Sequence, residues 1–171
     1  MKLANIALAA SVLALVAGAA QAQTAQPYYG VGVDAFDFDS YTLSGRLGTN
    51  FSEYIGVEGQ AGIGIIDDEV TVGGTEVEVG VDVFAAAFLT GRYPVSPQFD
   101  LIGRAGYYYA EASAESGGVS VDGDADGLAF GAGGQYNFGP AFRNGIRVEY
   151  TNLDGDGDSG DAFSVAFIRK F

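Results

Sequence analysis

The segment Ile146-Arg147-Val148-Glu149-Tyr150 places apolar side chains on one parity and charges of both signs on the other. A β-strand sends successive side chains to opposite faces, so this pentapeptide has one greasy face and one charged face; a helix would mix the two. The same rhythm runs through Gly127-Leu128-Ala129-Phe130-Gly131-Ala132-Gly133-Gly134-Gln135-Tyr136. There Leu128, Phe130, Ala132 and Tyr136 share one phase, while glycine, alanine and Gln135 occupy the other.

Working outward, alternation of this kind predicts strands over residues 28–36, 41–51, 55–65, 76–93, 99–111, 127–138, 142–153 and 161–171, bounded by clusters of Gly, Asp, Asn, Ser and Pro. Eight is an even number, as an up-and-down barrel requires. The polar phase holds Asp34, Arg46, Glu58, Gln60, Asp82, Arg92, Arg104, Gln135, Arg147, Glu149 and Lys170, diluted by small residues. A face exposed to water would be rich in Lys and Glu. This one carries many glycines instead, among them Gly30, Gly32, Gly48, Gly131 and Gly133, which suits a narrow lumen and turns the apolar face outward toward lipid. A soluble lipocalin-like barrel or a sandwich is the alternative, and phase separation by detergent distinguishes it.

Composition removes whole classes of chemistry. The 171 residues include no His, no Cys and no Trp, so a Ser-His-Asp triad, a Cys nucleophile, a Cys/His zinc site and a disulfide are all excluded, and no spacing of Ser, Asp or Glu points to a substitute. The expectation is a protein that is not an enzyme and has no cofactor. Eight Lys and Arg stand against 22 acids, a formal charge of −14, a field that repels nucleic acid. Hydrophobic residues make up 48% and aromatics 13%, enough to support a packed or lipid-covered fold despite the charge.

Residues 1–22 read as a signal peptide: Lys2 supplies the positive start, Ile6 to Val16 the apolar stretch, and Ala20-Gln21-Ala22 the cleavage pattern. Residues 23–171 then form one barrel domain. No later stretch is long and apolar enough for a transmembrane helix. Three connections, 50–54, 94–98 and 139–141, are short; they alternate with longer acidic ones at 66–75, 112–126 and 154–160, and 37–40 is a short exception. Short turns on one side and longer loops on the other are expected of an outer-membrane barrel with periplasmic termini. Aromatics then fall into two girdles, with Phe51, Tyr54, Tyr93, Phe99, Phe138, Phe142 and Phe171 below and Phe36, Tyr41, Tyr107, Tyr109 and Tyr150 above.

With these residues in place, the chain resembles the small bacterial outer-membrane β-barrels typified by the membrane domain of outer-membrane protein A and its adhesin-like relatives. The carrying segments are Gly45-Arg46-Leu47-Gly48-Thr49-Asn50-Phe51, Gly56-Val57-Glu58-Gly59, Gly103-Arg104-Ala105-Gly106-Tyr107-Tyr108-Tyr109 and the two stretches quoted above. The resemblance implies an all-β, eight-stranded antiparallel transmembrane barrel in the cell outer membrane. It also implies contact with lipid and lipopolysaccharide, a monomer, and a closing Phe171 read by the barrel-assembly machinery. Arg169 departs from the apolar phase of Phe163, Val165, Phe167 and Phe171, and as a long side chain near a rim it can snorkel.

Two sets of candidate site residues follow. Asp34, Arg46, Glu58, Asp82, Arg92, Arg104, Arg147 and Glu149 are expected to form an ion-pair network in the lumen, because buried charges are tolerated when paired. Asp122, Asp124 and Asp126, and likewise Asp154, Asp156 and Asp158, have the opening spacing of a calcium loop but lack the distal Glu. The expectation for them is weak Ca2+ or Mg2+ binding at the outside loops. The expected role is structural or surface interaction of an adhesion-like kind, with a small passive, porin-like conduit as the alternative.

Overall fold

The computed structural model describes residues 25–37, 40–66, 68–72, 75–116, 119–155 and 159–171, with side chains outside 66–81 and 112–122. The proposed signal peptide, residues 1–22, lies outside the described residues. The strands are β1 (Gln26–Phe36), β2 (Ser40–Asn50), β3 (Ile55–Ile66), β4 (Asp68–Val72), β5 (Thr75–Ser96), β6 (Phe99–Ser116), β7 (Val119–Phe138), β8 (Asn144–Gly155) and β9 (Ser159–Lys170). All neighbours pair antiparallel. β1 pairs with β9, and β3 with β5, so the sheet closes on itself. Because β3 and β4 lie successively along β5, the described residues form an eight-stranded barrel.

Burial alternates with the predicted phases. In β8, Arg147, Glu149 and Thr151 are buried while Ile146, Val148 and Tyr150 are exposed. Val31, Leu43, Leu89, Leu101, Phe130, Val165 and other large apolar side chains likewise point outward. A water-soluble barrel hides its apolar face; this one presents a continuous apolar belt, as a lipid-facing barrel does.

The turns at the end where β1 begins and β9 ends, the terminus end, are tight. Ser52 Oγ accepts from the backbone N–H groups of Tyr54 and Ile55, at 3.2 and 3.1 Å. Ser96 Oγ does the same for Gln98 and Phe99. Between β7 and β8 a 3-10 turn at Pro140–Phe142 follows Gly139, whose φ of 76° favours glycine. β8 therefore starts at Asn144 rather than at Phe142.

The opposite end departs from the sequence reading. Residues 112–126, expected as a loop, are mostly strand: β6 and β7 stay paired out to Ser116 and Val119. β4 and β5 stay paired out to Val72 and Thr75. Gly73-Gly74 and Gly117-Gly118, between the last pairs, lie outside the described residues. Ladder pairing to β8 begins only at Gly127, opposite Gly155. Beyond the barrel, then, β4 and the ends of β5, β6 and β7 form a four-stranded projecting sheet. Among the described residues, neither β4 nor the 119–126 part of β7 has a ladder partner on its outer edge.

Candidate functional site

The lumen is filled in three layers. In the middle, Arg46 from β2 pairs with Asp34 of β1 at 3.1 Å and with Glu149 of β8. Glu58 of β3 accepts from Arg147 Nη1 of β8 at 2.6 Å and from the Tyr28 hydroxyl at 2.8 Å. Arg104 of β6 lies 3.5 Å from Glu58 and 3.6 Å from Glu149, and donates to Gln60 Oε1 and Thr151 Oγ1 at 2.8 and 2.6 Å. Three guanidinium groups thus meet three carboxylates, all nearly sealed from solvent. Removing charges from water is costly, and here opposite charges and hydrogen bonds compensate it. Glycine makes the room: a Cβ on Gly131 would stand 2.8 Å from Arg104 Nε and 2.9 Å from Thr151 Oγ1.

Toward the projecting sheet the lumen is apolar. Phe36, Phe84, Phe88, Tyr108 and Leu153 are buried there with Ala86, Ala129 and Ala162. The Phe36 and Phe84 rings lie 5.2 Å apart and Tyr108 stacks on Phe84 at 6.4 Å. Phe88 meets the charged layer, with the Arg104 guanidinium 4.3 Å from its ring centre. This corrects the girdle assignment of Phe36, which shares the inward phase of Asp34. The other girdle residues described as exposed include Phe51, Tyr54, Tyr93, Phe99, Phe138, Phe142, Tyr107, Tyr150 and Phe171. Phe171 packs against Tyr29, with ring centres 5.6 Å apart.

Toward the terminus end, Asp100 receives Arg92 at 3.2 Å and Lys170 at 3.8 Å. Asn137 donates to Asp100 and accepts from Lys170, each at 2.8 Å. Asp100 was absent from the expected network, although it shares the phase of Arg104 four residues on. Asp82 was included, yet it is exposed and sits where the β5–β6 register shifts between Val81 and Val83, which removes it from the three layers just described. The space beside Arg92 and Lys170 is a cavity of about 10 Å3, room for one water-sized occupant. Among the described residues, these three layers fill the lumen.

The acidic segments are placed differently from a cation loop. Asp122, Asp124 and Asp126 lie in β7, with alternate residues about 6.6 Å apart along the strand, and so are extended where the sequence reading expects a loop. Asp126 accepts from the Tyr107 hydroxyl. Asp154 is exposed in β8, opposite Ser159, and Asp156 and Asp158 lie outside the described residues. Among the described residues, no three His, Cys, Asp or Glu side chains converge on a metal position. A rim contact not foreseen from the sequence joins Asp161 to Asp37. Asp37 N–H donates to the Asp161 carbonyl at 2.8 Å and Asp161 N–H to Asp37 Oδ1 at 2.9 Å. The Tyr150 hydroxyl and Asn152 amide donate to the Asp161 carboxylate, holding it below the ordinary aspartate range.

Solved structures share this architecture. Ail, the attachment invasion locus protein of Yersinia pestis, is similar at 17% identity and TM-score 0.59, over 86% of this chain and 97% of that one. The N-terminal β-barrel domain of Pseudomonas aeruginosa OprF is similar at 10% identity and TM-score 0.65, over 88% of this chain and all of that one. Neisserial surface protein A is similar at 13% identity and TM-score 0.51, over 86% and 96%. These identities show a common fold. No curated protein matches the chain. The family model described as the outer membrane protein beta-barrel domain matches residues 6–171, and the chain therefore belongs to that family of bacterial outer-membrane barrels.

Proposed function

We propose that this outer-membrane barrel is a surface-interaction protein whose working part is the projecting sheet, held in place by a lumen that serves as a structural peg. The observation that carries this reading is the pair of open sheet edges, β4 and residues 119–126 of β7. An unpaired edge offers a row of backbone donors and acceptors to an incoming extended segment, with charge pattern setting the choice of segment. Here the register puts Glu111 opposite Asp124, and residues 68–81 and 112–126 include acids but no Lys or Arg. Like charges directly opposed destabilise a sheet, so a cationic strand relieves repulsion that a second copy of this acidic chain would worsen.

Ail was crystallised with a heparin analogue, sucrose octasulfate. A polysulfated ligand does not suit a chain of charge −14, so we infer a partner of the opposite sign for this sheet. The lipid-facing belt sits in the membrane meanwhile, beside lipopolysaccharide. The test uses refolded barrel in nanodiscs and two synthetic strands, one alternating Lys with Val and one alternating Glu with Val. The Lys peptide binds, and binding is lost when residues 69–78 and 112–123 are each replaced by an Asn-Gly turn that keeps Asp68 opposite Val79 and Glu111 opposite Asp124. Equal binding of both peptides, or undiminished binding to the shortened barrel, contradicts the proposal.

A further inference from the structure

The charges inside the barrel do not balance. Among the described residues, the inward cations are Arg46, Arg92, Arg104, Arg147 and Lys170, and the inward carboxylates are Asp34, Glu58, Asp100 and Glu149. The middle layer is neutral, three against three. The surplus falls at the terminus end, where Arg92 and Lys170 share the single carboxylate of Asp100. Arg92 Nε lies 3.2 Å from Asp100 but makes no aligned hydrogen bond there. An excess of positive charge inside so acidic a chain is not explained by the peg.

The cavity of about 10 Å3 lies at this surplus. Arg92, Arg147 and Lys170 line it together with Asn50, Thr90 and Gln135, and no carboxylate is among its lining residues. The side chains of Arg92 and Lys170 are each 19% exposed, so the pocket opens toward the terminus end, whereas Arg147 beneath them is buried. Guanidinium, ammonium, amide and hydroxyl groups all donate hydrogen bonds, and an uncompensated charge half withdrawn from water favours a counter-ion. We propose that this cavity is a binding site for one small monovalent anion of the size of chloride. Its size excludes organic anions and sulfate, and the anion completes the charge balance of the lumen.

The experiment compares urea unfolding of the refolded barrel in sodium chloride and in sodium gluconate at equal ionic strength and pH. The unfolding midpoint is higher in chloride, and the difference grows with the logarithm of chloride concentration, as binding to one site of the folded state requires; a general salt effect grows in proportion to concentration. Lys170→Met removes the surplus charge and abolishes the difference. Crystals soaked in bromide place an anomalous peak in the cavity lined by Arg92, Arg147 and Lys170, which decides the matter if the variant does not refold. Equal midpoints in the two salts, a difference that survives Lys170→Met undiminished, or bromide absent from the cavity overturns the proposal. Equal midpoints accompanied by a Lys170 ammonium that titrates near neutrality would mean that the surplus is removed by loss of a proton instead.

Discussion

Glu58 and Arg147, 89 positions apart in the chain, meet at 2.6 Å in the middle of the lumen. They belong to β3 and β8, which are not neighbours in the barrel, so the pair ties opposite walls across the interior. Glu58 also stands 3.9 and 3.5 Å from Arg46 and Arg104. All three buried guanidinium groups converge on Glu58, as they also do on Glu149.

Glu58→Gln is expected to destabilise the refolded barrel by about 3–5 kcal/mol, because it leaves buried cations undercompensated. In a double-mutant cycle with Arg147→Met, the paired change costs less than the sum of the single ones. Urea unfolding followed by circular dichroism and by the heat-dependent gel shift measures this. Strict additivity would show that the two groups do not interact.

Phe84 is the centre of the apolar layer, in ring contact with both Phe36 and Tyr108. Phe84→Ala is expected to cost about 3–5 kcal/mol through the cavity it leaves. Leu89→Ala, on the exposed outer face of the same strand, costs clearly less in the same urea series. Equal costs would mean that Phe84 is not enclosed.

At the rim, Asp161 is the group with a pH signature. Its carboxyl is held low by hydrogen bonds from Tyr150 and Asn152. A depressed folded-state value stabilises above the unfolded-state value, and that contribution is lost as pH falls through the folded-state value. The hydrogen bond from the Asn152 amide to the Asp161 carboxylate is thus expected to persist to more acid pH in the wild type than in Tyr150→Phe. In the variant the Asp161 carboxyl titrates closer to ordinary aspartate, which carboxyl-carbon NMR reads directly. An unchanged titration would remove Tyr150 from the account.

Much of this was legible in the sequence because a closed barrel is a two-faced object and the phases of its strands are written residue by residue. Arg46, Glu58, Arg104, Arg147 and Glu149 all fall inside, as their parity requires. Which guanidinium meets which carboxylate was not legible, since that depends on how β3 and β8 face one another after closure. Phe36 lies inside because its even position, shared with Asp34, decides its face, whereas aromatic character near a strand end alone suggests a girdle. The projecting hairpins were missed for a different reason. In 112–126 only Val119-Ser120-Val121-Asp122 alternates with strong contrast, the rest being mostly Ala, Ser, Gly and acids, and Gly-Gly pairs at 73–74 and 117–118 are equally common in loops.

The central claim is that the interior is a closed peg and that function resides outside it. Planar-bilayer recording of pure, refolded wild-type barrel tests this most directly. The account predicts no steady conductance, because the layer around Phe84, the three-against-three charge layer and the Asp100 cluster each block the path. Reproducible, ion-selective openings from the pure monomer would contradict it and make the protein a small channel.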